Sequence, residues 1–387
     1  YGQSFPGVFD IAYFLQILGI AAGVIGIVLF KRFAGEEKRS VKPFGEESWG
    51  TLEDAKKAKL LGNKDGVIIG KMEGELLKHD GAEHILVSGA TRSGKGVGIV
   101  VPTLWNWRGS AIVYDPKEEL WDLTAGYRSK SGKVAYFNPS SENSISINPL
   151  LYVRKGASEI GDIQNIVEFL SNPNATMQQR NIWEESGKSL VTAIILHVLY
   201  AEEDDRKNLA VVRDKLFDLD STLKAMMRTP HRLNKKTGEP EVHPEVLRVA
   251  KAIYGKYKKF RESVAGTAET YLKPWAGELV AEKTSQNDFD IEDFITGDEP
   301  FTLYIQIPYE DNERLAPLLR FMIAQITRPL LRAVKKKKHT RRVLMCLEEF
   351  PAIGKVDFLE RDLGMVAGYG LKALLVCQSA NFIQKEY

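Results

Sequence analysis

Cysteine and histidine are scarce. Two cysteines, Cys346 and Cys377, stand in separate apolar runs of the 387-residue chain, which excludes a disulfide framework and a cysteine-ligated zinc site. The six histidines are scattered without an H-E-x-x-H pair, and the metal-hydrolase class goes with them. Net charge is almost missing too: 53 Lys and Arg face 51 Asp and Glu, leaving +2. A globally basic nucleic-acid binder is thereby excluded, and any contact with nucleic acid must come from a local patch. No internal repeat or low-complexity stretch is present. With 44% apolar and 27% charged residues the composition is that of a folded protein, and the length fits two domains or three small ones.

Charge is absent most completely from residues 11–30 (IAYFLQILGIAAGVIGIVLF). At about 1.5 Å per residue a helix over that run crosses the hydrocarbon core. We expect a transmembrane helix there, within an anchor of residues 1–35. A secretory signal would carry basic residues before the run and a cleavage site after it. Here Asp10 precedes, while Lys31, Arg32, Lys38, Arg39 and Lys42 follow. The positive-inside rule then puts the bulk of the chain in the cytoplasm. Gly19 and Gly23 form a small-xxx-small pair that would admit a second membrane helix closely.

Beyond the anchor, apolar runs of strand length alternate with helical patterns. Strands are expected at 66–70, 83–88, 110–114 and 133–137, with helices at 52–60 and 97–107. That alternation is the pattern of an α/β fold with a parallel sheet. The apolar period then becomes helical at 162–170, 183–200, 211–227 and 244–260. Strands return at 301–307, 343–347 and 373–377. The expected organisation is an α/β domain of residues 36–151 and 281–387, interrupted by an inserted all-α domain of residues 152–280.

Gly89, Ala90, Thr91, Arg92, Ser93, Gly94, Lys95 and Gly96 lie between an apolar strand and a helix opening at Val97, the context of a Walker A phosphate loop (P-loop). Glycines let the backbone curl so that successive N–H groups face phosphate oxygens. The helix N-terminus adds about half a positive charge there, and Lys95 adds a full one. Position eight is Gly96, so the Ser or Thr hydroxyl that normally holds Mg²⁺ is missing; water, Ser93 or Thr91 is left to fill that place.

Residues 343–347 (VLMCL) run directly into Glu348 and Glu349, a Walker B pattern at the strand end that faces the ligand crevice of a parallel sheet. Glu348 is expected to reach Mg²⁺, directly or through water, and Glu349 to orient or deprotonate the attacking water. Asp is usual at the first position, and the extra methylene of Glu348 carries its carboxylate about 1.5 Å further out, towards the space Gly96 leaves. Gln378 follows the last apolar run and is expected to sense a γ-phosphate or position water. Lys95 and Glu348 are separated by more chain than a few βα units need.

With these residues in view, the segment GATRSGKGVGIVVPTL (89–104) resembles the type IV secretion coupling proteins, membrane-bound ATPases of conjugation and effector export. The loop of that family commonly reads T-R-S-G-K-G, so Gly96 agrees with it. YDPKE (114–118), FNP (137–139), INP (147–149), LEEFPAIG (347–354), AGYG (367–370) and Gln378 resemble its further motifs, with Glu348 where Asp is usual.

The resemblance implies a RecA-like nucleotide-binding domain with an all-α domain inserted in it. It implies two N-terminal membrane helices, one of them carried here, and hexamers holding ATP and Mg²⁺ between neighbouring subunits. The implied activity is ATP hydrolysis at the bacterial inner membrane. It would drive relaxase-bound single-stranded DNA, secreted proteins or both into the type IV secretion machinery. A recruitment platform with little turnover and a chromosome-type DNA translocase are the alternatives. A site shared between subunits asks for an arginine finger. Some relatives carry an arginine near Ala367, where this chain has none; the sequence does not name the finger, and Arg314, Arg320 and Arg361 are candidates whose first reading is a surface ion pair.

Two basic patches remain. KKKKHTRR (335–342) is expected to be a solvated helix end, with anionic lipid or DNA phosphates as the other reading. YGKYKKFR (254–261) interleaves aromatics with cations as single-strand channels do, but helical spacing puts Tyr254, Tyr257 and Phe260 in the core. Arg92 is expected to touch phosphate or a neighbouring subunit.

Overall fold

The computed structural model describes residues 50–172, 181–335, 341–354 and 367–379, with 16, 18, 19, 23, 363, 364 and 381 as single positions. Most of the membrane helix expected at 11–30 lies outside the described residues. Among those described, no helix is long and apolar enough to cross a membrane. The chain divides into units of residues 1–54 and 55–387, with helix α1 (Leu52–Lys57) across the boundary.

The second unit opens with an antiparallel hairpin of β1 (Val67–Met72) and β2 (Glu75–His79). Its turn needs Glu73 at φ 49 and Gly74 at φ 93. Then come β3 (Ile85–Ser88), a π-helical turn Gly96–Val100 running into α2 (Val101–Asn106), β4 (Ser110–Tyr114), α3 (Glu119–Arg128) and β5 (Lys133–Phe137). A helical stretch follows: α4 (Glu159–Ser171), α5 (Ile182–Ala201), α6 (Leu209–Phe217) and α7 (Leu219–Arg228). The ribbon of β6 (Arg232–Leu233) and β7 (Pro240–Glu241) precedes α8 (Pro244–Tyr254), α9 (Lys258–Tyr271), α10 (Glu278–Lys283) and α11 (Ile291–Thr296). The chain returns to the sheet through β8 (Phe301–Ile305), α12 (Asn312–Lys335), β9 (Val343–Leu347) and β10 (Leu371–Cys377).

Six strands form one sheet in the order β3-β10-β9-β4-β8-β5, and every pairing in it is parallel. Strands β4, β8, β9 and β10 are buried along their whole length. They are largely apolar, Lys372 in β10 being the charged exception, because helices cover both faces. On one face Val100, Leu104 and Trp107 pack against Val113, Tyr304, Cys346 and Val376. On the other, Ile112, Leu303, Met345 and Leu375 share a single core with Leu190 and Ile194 of α5 and Met322 of α12. The helical stretch is therefore fastened to the sheet by a continuous apolar layer, and it contains a short β-ribbon besides its helices.

Two expected helices are each divided. The 211–227 pattern breaks at Asp218, whose side chain accepts from the Ser221 N–H and caps α7. The 244–260 pattern breaks after Tyr254, where Gly255 ends α8.

Candidate active site

Because the sheet is parallel, the carboxyl ends of β3, β10, β9 and β4 lie side by side. Cys377 pairs with Ser88, Leu375 with Leu347, and Leu347 with Tyr114. The residues that follow these ends (the 89–96 loop, Gln378, Glu348 with Glu349, and Asp115) therefore meet along one edge.

The loop leaves β3 with the Gly89 N–H donating to the Cys377 carbonyl at 3.2 Å and curls through Arg92 at φ 62 and Gly94 at φ 84. A Cβ at position 89 would stand 2.9 Å from Ser93 Oγ, so a side chain there would displace that hydroxyl. Lys95 Nζ folds back across the mouth, donating to the carbonyls of Gly89 (2.5 Å) and Ala90 (2.8 Å). Thr91, Arg92 and Ser93 are exposed, as is Val97 just inside the helix.

Glu348 donates its N–H to the Tyr114 carbonyl at 3.2 Å, which fastens it to the end of β4. Its side chain is buried and its Oε2 has no hydrogen-bond partner. Burial, then the charge of neighbouring Asp115, pushes its carboxyl up to about 7, with Lys117 pulling the other way. An ideal Cβ on Gly96 would lie 3.9 Å from Glu348 Oε1, so the place of the missing hydroxyl faces this carboxylate.

Asp115, fully buried, was not among the residues expected at the site. Its Oδ2 accepts from the Trp121 N–H (2.8 Å) and from Gln306 Nε2 (3.3 Å), while Oδ1 has no partner. Burial holds its carboxyl above the usual carboxylate range, opposed by the Trp121 and Leu120 N–H groups. The sequence signal for it was plain in kind, an acid closing the apolar run SAIVY, but only the strand order puts it next to Glu348.

Glu349 takes a left-handed backbone, φ 56, which turns it away from the strand line. Gln378 Nε2 donates to its Oε2 at 3.1 Å, and Thr91 Oγ1 donates to Gln378 Oε1 at 3.0 Å. One amide thus ties the loop tip to the second acid. The Asn312 side chain accepts from the Tyr114 hydroxyl (3.3 Å) and donates to the Ala352 carbonyl (2.7 Å), pinning the segment after Glu349. Burial and then the Glu349 charge raise the Tyr114 hydroxyl above its ordinary range.

Other candidates lie elsewhere. Arg314 pairs with Asp311 at 2.6 Å on the surface. Arg320 is buried and donates to the Ile353 carbonyl at 2.6 Å. Arg361 and positions 336–340 of the basic run fall outside the described residues. Arg341 donates to the carbonyls of Gly297 and Asp298, and Arg342 pairs with Asp80 over the Trp107 ring, at the opposite end of the sheet. Tyr254 and Tyr257 are exposed, against the expectation of core, because the helix carrying that spacing stops between them. Phe260 does pack, 4.9 Å from the Trp183 ring. Among the described residues no group of three or more His, Cys, Asp or Glu is gathered for a metal. Two carboxylates with spare oxygens beside a phosphate loop nonetheless fit Mg²⁺, which takes one or two carboxylates and completes its shell with phosphates and water.

Residues 48–387 match the family model described as Type IV secretory system Conjugative DNA transfer. Conjugal transfer protein TraG of Escherichia coli is 37% identical over 319 residues, covering 79% of this chain and 49% of TraG. Protein VirD4 of Rhizobium radiobacter is 27% identical over 368 residues, covering 90% of this chain and 51% of VirD4. The chain thus spans about half the length of the curated relatives it matches. Among solved structures, the plasmid coupling protein TrwB in complex with the ATP analogue ADPNP aligns with a TM-score of 0.61 at 15% identity, over 87% of this chain and 73% of that one. TrwB in complex with ADP and Mg²⁺ aligns at 0.60. The likeness shows a shared α/β fold around a parallel central sheet.

Proposed function

Since this chain belongs to the type IV secretory system conjugative DNA transfer family, we propose that it is an ATPase of a coupling protein. In this reading it recruits relaxase-bound single-stranded DNA, secreted proteins or both and drives them into a type IV secretion channel. The observation that carries the reading is the edge where Lys95, Glu348, Glu349 and Gln378 converge, with the Thr91–Gln378–Glu349 line joining loop to acid.

ATP and Mg²⁺ are the cofactors of this reading. Bound with the nucleotide, Mg²⁺ would neutralise charge on the β- and γ-phosphate oxygens. Lys95 exchanges the Gly89 and Ala90 carbonyls for phosphate oxygens, and the loop from Gly89 to Gly96, with Val97 opening the helix, presents its N–H groups. Glu348 would hold the metal directly or through water. Glu349 orients the attacking water and takes up its proton. Gln378, bonded at both ends, reports a γ-phosphate by letting go of one partner. Arg92 at the loop tip reaches the phosphates or a neighbouring subunit.

Residues 36–151 and 281–387 are read as the RecA-like nucleotide domain, 152–280 as the inserted helical domain and 1–35 as the membrane anchor. The assembly is a homo-hexamer at the bacterial inner membrane, with the bulk of the chain cytoplasmic. The absent hydroxyl at Gly96 favours one second reading, a nucleotide-bound recruitment platform that scarcely turns over.

The test is ATP hydrolysis with and without single-stranded DNA, at concentrations that form hexamers, together with transfer from donor cells. We expect hydrolysis stimulated by DNA, and loss of both hydrolysis and transfer in Lys95→Ala and in Glu349→Gln. Transfer that survives both substitutions overturns the motor. Nucleotide binding without turnover, with transfer intact, selects the platform.

A further inference from the structure

We propose that Asp115 is a second carboxylate for the divalent cation, acting beside Glu348 in place of the hydroxyl that Gly96 does not supply. The proposal rests on the nucleotide-site reading above. Asp115 follows Tyr114 and Glu348 follows Leu347, and those two residues pair across β4 and β9. Val113 and Cys346, two positions earlier, pack on the sheet face that carries Val100 and Leu104 of the loop-bearing helix. Side chains two apart along a strand share a face, so both acids belong to the side on which the phosphate loop's helix lies. Gly96 stands in the same layer, its would-be Cβ 3.9 Å from Glu348 Oε1.

Both carboxylates are more than nine-tenths buried, and each keeps one oxygen with no partner, Asp115 Oδ1 and Glu348 Oε2. Two desolvated acids side by side are costly unless a cation joins them. The other oxygen of Asp115 is held by the Trp121 N–H and Gln306, so the direction of Oδ1 is set before any cation arrives. A carboxylate needed only to cap α3 would use Oδ2 and have no reason to keep Oδ1 buried and bare. Mg²⁺ sites built from one or two carboxylates plus substrate phosphates have this composition.

Titration of the full chain with Mn²⁺ in the presence of ADP, followed by electron paramagnetic resonance, tests it. Asp115→Asn retains an acceptor for the Trp121 N–H. It should weaken Mn²⁺ binding about 10- to 100-fold while leaving metal-free ADP affinity as in the wild type and melting temperature no lower than the wild type's. Adding Gly96→Ser should restore much of the loss, because a Cβ there meets nothing closer than 3.9 Å and brings a hydroxyl back. If Asp115→Asn does not fold, wild-type protein carrying carboxyl-¹³C aspartate serves instead. The neighbouring acid is a glutamate, so a first-shell ¹³C coupling to Mn²⁺ reports aspartate and not Glu348. Wild-type Mn²⁺ affinity in Asp115→Asn, an equal loss of metal-free ADP binding, or no ¹³C coupling overturns the proposal. A wild-type chain that binds no ADP at all overturns the parent reading instead.

Discussion

The two ends of the same parallel sheet handle buried charge in opposite ways. At the amino ends Arg128, 3% exposed, donates to Thr302 Oγ1, the Gly109 carbonyl and the Trp107 carbonyl. Lys372, 1% exposed, donates to the Gly81 and Glu83 carbonyls and bonds His79. Each cation closes a loop onto the sheet. At the carboxyl ends Asp115 is fully buried and Glu348 9% exposed, yet each leaves an oxygen bare. Three non-glycine residues with positive φ, Arg92, Glu118 and Glu349, stand there too, a strain of order 1–3 kcal/mol apiece. Charge with partners makes the amino end a fastening. Charge without them leaves the carboxyl end with the open oxygens that the proposed cation would take up.

The sharpest way to break this contrast is to remove one cation from each end. Lys95→Ala should cut ATP turnover by about 10³-fold or more with little change in melting. Arg128→Leu should lower unfolding free energy by about 3 kcal/mol, because the Trp107 and Gly109 carbonyls lose a charged donor, and leave ADP affinity alone. Urea denaturation beside ADP titration decides it; if Arg128→Leu abolishes ADP binding, the ends are not separable.

Acids should behave in the reverse sense. The Glu348 carboxyl is raised in the fold to about 7. The folded state therefore holds a proton that the unfolded chain gives up near 4.5, and the stability tied to that proton is full below pH 4.5 and lost as pH rises through 7. Glu348→Gln should then stabilise the unliganded protein by about 2–3 kcal/mol at pH 8 and by almost nothing at pH 4.5. An equal gain at both pH values would mean that packing, not ionisation, is responsible.

The helical layer supplies the opposite slope. Burial pushes His197 and His231, bonded to each other at 2.8 Å, down to about 4. Their contribution is full above pH 6.5 and drains as pH falls towards 4. His231→Gln should flatten the acid limb of the stability profile by about 2 kcal/mol, read from denaturation midpoints between pH 7 and 4.5. An unchanged limb would show that these histidines remain uncharged in acid.

How far this was legible beforehand depends on whether a residue's partner lies close in sequence. Strands 110–114, 133–137 and 343–347 could be read to the residue, since apolar runs bounded by Gly, Asn or charged residues need no distant information. The last strand reads short because Lys372 resembles a terminator, and only the loop carbonyls folded over it make a buried lysine admissible. Asp218 interrupts an apolar period that continues on either side of it, so the period hides the break while the cap makes it. The phosphate loop and the acid pair stand out as local patterns. Asp115 as neighbour to Glu348, and Gln378 as the link between Thr91 and Glu349, follow from the order β3-β10-β9-β4, and no local pattern encodes that order.

The smallest effect probes that link. Thr91 Oγ1 is a donor to Gln378 Oε1, and the amide's other end holds Glu349. Removing the hydroxyl frees the amide to rotate and leaves Glu349 with a less directed donor, while the backbone of the 89–96 loop is untouched. A neutral hydrogen bond is worth about 1 kcal/mol, which corresponds to about a fivefold change in rate. Thr91→Val should therefore lower kcat several-fold at unchanged ADP affinity, and Thr91→Ser should recover it, since serine keeps the donor and loses only a methyl group. A loss of ADP affinity as large as the loss of kcat would place Thr91 in the phosphate cradle itself. An unchanged kcat would show that the carboxyl end does not use this tie at all, and that Glu349 is set by its left-handed backbone alone.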